Sequence, residues 1–574
     1  MTPRKLPLTV AAASAFAVSL SGATPEEQEH ALFDSFPELS ALKEVPKPAG
    51  PDWMHNAVFY QIYPQTFCDS DGDGIGDIQG IISKLDYVKS LGVDAIWINP
   101  FFESPFRDAG YDISDYYSVA TRYGTNEDAK ELFEKAHEKG LKVLFDFVAS
   151  YTSIDHPWFK DSCEPTPNAH SNWYVWTNDT WFAGQQDYTA GFIQGYCLRN
   201  GNYLQNFFWS QPAVNFGYGN IDPQQSAWQL PPDHPDIMAL REEMKNVVRF
   251  WMSMGADGYR ADMASTLVKH DDEDKKYTCA VWNDIRDMLD EEFPGTFTVA
   301  EWEDWTASKA GFNSNFLHWR PQYYDLWFRN EDSYFLSAGK GDITRFLSLY
   351  LGQREKSGDA NYISLTVGNH DLPRINRWGR DRTDLELIQV FAFTMPNVPF
   401  IYYGDEIAMR QLDFQSGKEG CYGTRAGART PMQWAAGPNL GFSTAAPDKL
   451  WMPVDGAEDA PTVAAAEADE ESMLHFMREL VAFRKAHPAL AANGAFTPVY
   501  AQEGKYPFVF IRAGGGEALL VVINPSAADA KAEIEGVLKA QKALLRGSEC
   551  KWSEKGAKTS IEIKGRSYAI YSLE

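Results

Sequence analysis

The chain has 574 residues, 44% of them hydrophobic and 14% aromatic, which excludes a disordered or fibrous protein and leaves room for a large core and more than one domain. Its 52 Lys and Arg stand against 79 Asp and Glu, a net charge of −27. Such a field repels nucleic acid and anionic membrane and suits a neutral, hydroxyl-rich ligand better than an anionic one.

In chain order, Arg4 and Lys5 precede the apolar run Leu6 to Leu20 and then Ser21-Gly22-Ala23. That is the layout of a cleavable secretory signal over 1–23, too short for a comfortable membrane span, and it predicts a secreted or periplasmic protein. Residues 24–52, rich in Glu and Pro, form a lead-in. From 53 to 488 strands and helices alternate. Strands are predicted at Ala57–Tyr63, Ala95–Ile98 and Lys142–Val148, with helices between them at Ile81–Leu91, ended by Gly92, and Asn126–Lys139, closed by Gly140. Three such units in succession imply a parallel sheet.

The pattern breaks between about 150 and 235, a stretch of Trp, Asn, Gln, Gly and Pro too long for a loop, which predicts an inserted subdomain after the third strand. It resumes with a helix at Ile237–Met254, a strand at Gly258–Asp262, a helix at Ala280–Phe293 and strands at Thr296–Glu301, Tyr362–Val367 and Val398–Tyr403. With a weaker strand near Tyr323–Leu326 the count is eight, an α/β fold of the (β/α)8 (TIM) barrel type, enlarged by insertions. After a helix at Ser472–His487, residues 489–574 carry the alternating segments Phe508–Arg512, Ala518–Ile523 and Ser567–Tyr571, expected to build an antiparallel β-domain.

Arg260-Ala261-Asp262, Glu301 and Asn369-His370-Asp371 each end an apolar run. Three carboxylates on three strand ends are what retaining glycoside cleavage requires: a nucleophile, an acid/base and a further charge to hold the sugar. Arg260, two residues from Asp262 and so on the same strand face, is placed to keep that carboxylate ionised, and the Asp262 charge would help raise the pKa of Glu301. The plain alternative is a set of barrel-rim salt bridges. Upstream, Asp69, Asp71, Asp73 and Asp77 alternate, with Ile75 between the last two, in a glycine-bearing loop matching the first half of an EF-hand-like calcium site, although Gly80 stands where a bidentate Glu would close it. A structural Ca2+ is expected, against the alternative of a solvated acidic turn. The six cysteines contain no C-x-x-C pair; they permit fifteen disulfide pairings or none. No G-x-x-x-x-G-K-[ST] nucleotide loop is present.

These residues resemble glycoside hydrolase family 13, the α-amylase family, from about 56 to 574. Asp146 opens its first motif, Gly258-Tyr259-Arg260-Ala261-Asp262 forms the second, Glu301 the third and Asn369-His370-Asp371 the fourth. The resemblance implies Asp262 as nucleophile, Glu301 as general acid/base and Asp371 as holder of two sugar hydroxyls. It also implies that Asp108 grips a non-reducing glucose, that Tyr111 stacks beneath it and that Arg429 pairs with Asp108 to close a pocket. Gln211-Pro212-Ala213-Val214-Asn215 is close to a signature of the oligo-1,6-glucosidase, α-glucosidase and trehalose synthase side of the family, with Ala213 in place of its Asp.

One departure stands out. Where the first motif usually ends in Asn-His, this chain has Ser150-Tyr151, so Tyr151 occupies the place of a histidine that resembles a ligand of the sugar 6-hydroxyl. Met263 after the nucleophile is neither the Val nor the Thr that accompanies linkage preference. The reading is a secreted, exo-acting, retaining α-glucosidase. Its rivals are a glucosyl transferase or isomerase using the same covalent intermediate, and a non-catalytic glycan-binding relative.

Overall fold

The computed structural model describes residues 50–573 apart from 182–190, 329–332, 339–340, 359, 536–537, 539 and 557. The predicted signal and most of the lead-in lie outside the described residues.

Eight parallel strands make the barrel: β1 Phe59–Ile62, β2 Ala95–Ile98, β3 Lys142–Phe147, β4 Gly258–Ala261, β5 Phe297–Ala300, β6 Ser314–Phe316, β7 Tyr362–Ser364 and β8 Phe400–Tyr402. Neighbours pair in sequence order from β1 to β7, β8 pairs with β1, and a bridge between Thr366 and Phe400 closes the ring. The sixth strand departs from expectation. Tyr323–Leu326 falls within the helix Pro321–Trp327, whose Pro321 opens the first turn, and β6 lies a few residues earlier, only three residues long.

The two-residue period of a strand then sorts the side chains. Phe59, Ala95, Trp97, Leu144, Phe297, Val299, Phe316 and Phe400 fill the barrel interior, while Tyr60, Ile62, Ile96, Ile98, Val143 and Phe145 pack outward. Two residues beyond an interior position, toward the C-terminal rim, stand Asn99 after Trp97, Asp146 after Leu144, Glu301 after Val299 and Asp262 after Arg260. The apolar plug thus sits directly beneath a polar rim. Gly258 permits the crowding of β4 against β5, since a β-carbon there would lie 1.8 Å from the Phe297 carbonyl oxygen.

The barrel helices form where the sequence caps them: Thr125 and Asp128 make a capping box for Asn126–Glu138, and Pro235 opens Pro235–Met254. Among its described residues the insert holds one short helix, Pro157–Ser162, and a hairpin of two-residue strands, Phe192–Ile193 with Tyr203–Leu204. Its returning limb pairs back on the end of β3 through a bridge between Tyr151 and Ala213.

The C-terminal domain has eight strands, five more than predicted: β9 Ala495–Tyr500, β10 Phe508–Gly514, β11 Glu517–Asn524, β12 Ala530–Glu535, β13 Ala540–Leu544, β14 Lys551–Lys555, β15 Lys558–Ile563 and β16 Ser567–Leu573. They form a five-stranded sheet, β9-β10-β11-β16-β13, and a three-stranded one, β12-β15-β14. On β10 the alternation is apolar on both faces: Phe508 and Phe510 join the main core with the barrel, and Val509 and Ile511 face the domain's own core. All six cysteines are free thiols. Among the described residues no helix is long and apolar enough to cross a membrane.

Candidate active site

A cavity of about 520 Å³ opens at the C-terminal rim, lined among others by Asp108, Tyr111, Tyr151, Asp262, Glu301 and Asp371. Asp146, Arg260, His370 and Arg429, also expected at the substrate, are buried and lie in the layer beneath. They act on the lining groups instead of touching the cavity.

Arg260 organises that layer. Its Nη1 donates to Asp262 Oδ1 at 2.7 Å and to Asp146 Oδ1 at 2.9 Å, and its Nη2 donates to Glu301 Oε2 at 2.7 Å. The pairing register of β3 with β4 puts Asp146 opposite Arg260, and that of β4 with β5 puts Ala261 opposite Ala300, so the three carboxylates meet one guanidinium by strand alignment alone. Asp146 is fully enclosed. Its other oxygen accepts from Tyr111 at 3.0 Å and Trp97 at 3.2 Å, and burial pushes its carboxyl up to about 6.

One cation cannot satisfy three buried carboxylates equally, and the division differs from the sequence-based expectation. Burial raises Asp262 well above the usual range in spite of Arg260. Burial would raise Glu301 as well, but Arg260 and His318 hold it well below its ordinary value. Glu301 gains further from the Met263 N–H at 3.1 Å and from Trp319 Nε1 at 3.4 Å, with His318 Nε2 at 3.5 Å. Met263 sits at φ 40°, ψ 40°, a left-handed conformation costing on the order of 1–3 kcal/mol for a residue with a side chain, and it is this turn that aims its N–H at Glu301. In the ligand-free site, then, Arg260 and His318 outweigh burial at Glu301, while burial outweighs Arg260 at Asp262.

Asp371 has its own cations. Its Oδ1 faces Arg425 Nη2 at 2.8 Å and Arg429 Nη2 at 3.1 Å. Burial alone would raise it, yet Arg425, His370 and Arg429 hold it low. The expected Arg429–Asp108 ion pair does not form, and Arg429 turns its Nη2 to Asp371. Asp108 instead accepts from Gln211 Nε2 at 2.8 Å, and burial pushes its carboxyl up to about 7.

His370 is buried and burial drives its pKa well down, so it is neutral. The Gln61 and Asn99 amides reach its Nδ1 at 3.0 and 3.2 Å, which assigns the N–H to Nε2, pointing at Tyr111 Oη at 2.6 Å and Asp371 at 3.3 Å. The Tyr111 ring lies parallel to it, 6° apart in plane at 5.3 Å. Tyr151 donates its phenol to Asp262 Oδ2 at 2.9 Å. Sequence reasoning gave no role to Arg425, Gln211, His318 or Trp319. The signal for Arg425 was available: it lies four residues before Arg429, one turn away.

Asp69, Asp71 and Asp77 form a separate cluster, with oxygens within 4.8 Å of one another. Their hard-oxygen chemistry fits a calcium ion. The loop lies against 442–451, with Asp69 N–H donating to the Phe442 carbonyl and Trp451 N–H to that of Gly74, both at 3.0 Å.

Comparison with known proteins agrees with this geometry. Residues 61–493 match the family model for the α-amylase catalytic domain. The chain is 30% identical over 553 residues to trehalose synthase/amylase TreS of Mycobacterium tuberculosis (87% of this chain, 85% of that one). It is also 30% identical over 536 residues to the oligo-1,6-glucosidase of Parageobacillus thermoglucosidasius (82% and 90%). The crystal structure of trehalulose synthase MutB from Pseudomonas mesoacidophila MX-45 superposes with a TM-score of 0.75 at 26% identity, covering 92% of this chain and all of that one. A barrel of eight parallel strands with an Asp, a Glu and a second Asp converging at its C-terminal rim thus belongs to a chain of the α-amylase family, glycoside hydrolase family 13, and the protein is a glycoside hydrolase.

Proposed function

We propose that the protein is a retaining, exo-acting α-glucosidase acting on short α-glucooligosaccharides or disaccharides. The observation that supports this reading is the cavity lined by Asp108, Asp371 and Arg425, in which Gln211 from the insert holds Asp108 and Arg425 and Arg429 hold Asp371, charged groups gathered for the hydroxyls of a terminal sugar. Asp262 attacks the anomeric carbon, Glu301 protonates the departing oxygen, and water then enters with Glu301 as base. An oxygen of the substrate arriving beside Glu301 competes with Arg260 for it, and loss of that ion pair returns the carboxyl to its acid form. Proton NMR of the first product is expected to show the α-anomer, with Asp262→Asn and Glu301→Gln each nearly inactive yet folded; a β-anomer, or full activity in either variant, refutes the assignment.

A second reading has its own support. Phe207, Trp319 and Tyr422 are 38%, 44% and 49% exposed and line the cavity, giving a second sugar apolar faces on which to rest. Together with the likeness to a trehalose synthase and a trehalulose synthase, this favours transfer of the glucosyl group to a sugar hydroxyl in place of water. Chromatography of products from maltose, isomaltose and sucrose separates the two: free monosaccharides alone mark the hydrolase, and a new disaccharide marks the transferase.

We further propose a structural Ca2+ held by Asp69, Asp71 and Asp77, with Asp73 and the Ile75 carbonyl at its edge, and export directed by residues 1–23.

A further inference from the structure

Both oxygens of the nucleophile are already occupied. Arg260 Nη1 holds Asp262 Oδ1 at 2.7 Å, and the Tyr151 hydroxyl holds Oδ2 at 2.9 Å. Tyr151 is 3% exposed, its backbone is fixed by the bridge to Ala213, and its ring lines the cavity, so the phenol is held on the nucleophile by the end of β3 and the returning limb of the insert. Burial raises the phenol far above its ordinary pKa, so it remains a proton donor throughout the working range.

We propose that Tyr151 is a positioning residue that sets the balance between formation and breakdown of the covalent intermediate, by donating to the free carboxylate of Asp262 more strongly than to the glucosyl ester. The inference rests on the retaining reading above. In the first step an Asp262 oxygen bonds the anomeric carbon, the bond to the leaving oxygen breaks, and Glu301 gives that oxygen its proton. In the second, water bonds the anomeric carbon and yields a proton to Glu301, while the ester bond breaks and its electron pair returns to Asp262. A hydrogen bond to an anion is stronger than one to a neutral ester, so the phenol stabilises the resting enzyme and the departing carboxylate, and favours breakdown. The same donation lowers the proton affinity of Asp262 against the burial that raises it.

The test is stopped-flow hydrolysis of 4-nitrophenyl α-glucoside by wild type and by Tyr151→Phe. The variant is expected to show a burst approaching one nitrophenol per active site, followed by a steady state slower by on the order of tenfold. Acid-quenched samples should carry a hexosyl adduct by mass spectrometry, and the acid limb of kcat/KM should move to higher pH. Tyr151→fluorotyrosine, a stronger donor of the same shape, should shift breakdown the opposite way, which keeps the proposal testable even if Tyr151→Phe fails to fold. A raised KM in Tyr151→Phe with no burst, no adduct and an unmoved acid limb would show a substrate-binding group only, and so would fluorotyrosine variants identical to wild type. A wild type that releases no nitrophenol overturns the α-glucosidase reading itself, and this inference with it.

Discussion

Arg260 serves three carboxylates with one guanidinium, and the protonation of the site follows from how that charge is divided. In the free enzyme Glu301 receives Arg260 Nη2 and a backbone N–H, which hold it low. As the proposed general acid it must be protonated. The pH profile of kcat/KM reports the free enzyme and that of kcat the complex, so the basic limb of kcat is expected at higher pH than that of kcat/KM; coincident limbs would mean that substrate does not disturb the Glu301–Arg260 pair. Asp108 supplies an independent check. Its carboxyl titrates at about 7 in the folded chain, against about 3.9 for an unfolded Asp. The folded pKa is the raised one, so this group's contribution to stability is complete below the unfolded value and lost as pH rises through 7. Between about pH 5 and about pH 8 the melting temperature of wild type should therefore fall further than that of Asp108→Asn, and equal falls would place the Asp108 charge in solvent.

At the scale of elements, what the sequence made legible depended on length and period. Lys142–Phe147 and Pro235–Met254 are long enough for their apolar spacing to declare them, and the i, i+2 relation of Arg260 to Asp262 carried straight into the observed contact. β6 escaped because three residues carry no period, and the aromatic run Tyr323–Leu326 beside it belongs to a helix that Pro321 starts. The Asp108–Arg429 pairing failed for another reason: sequence placed both residues near the sugar, but Gln211 reaches Asp108 from the distant insert and Asp371 takes Arg429 as its own partner, contacts between segments far apart in the chain that no local pattern encodes. The acidic loop from Asp69 to Asp77 shows the same division, since the alternation was readable and the partner segment 442–451 was not. Three carboxylates drawn within 4.8 Å repel one another without a cation, so a chelator is expected to lower the melting temperature by several degrees while sparing activity at moderate temperature; unchanged melting would leave the loop as an acidic turn.

For the whole molecule, the proposed exo action depends on how the insert and the barrel segments wall the cavity. The insert returns through Gln211 to Asp108 and through Ala213 to Tyr151, so one wall of the cavity is borrowed from outside the barrel. The segment carrying Arg425 and Arg429 closes another side against Asp371. Phe207 from the insert, Trp319 beyond β6 and Tyr422 from that segment then ring the mouth. The proposed exo action requires these walls to close one end, so that a chain terminus enters and one residue leaves per visit, whereas a cleft open at both ends would cut internally. Time courses on maltoheptaose and on soluble starch are therefore expected to yield glucose and the chain one unit shorter as the first products of the oligosaccharide and to leave starch viscosity nearly unchanged. Rapid loss of viscosity, with maltose and longer fragments ahead of glucose, would mean that the walls built by Gln211 and Arg425 part in solution and that the enzyme works along the chain.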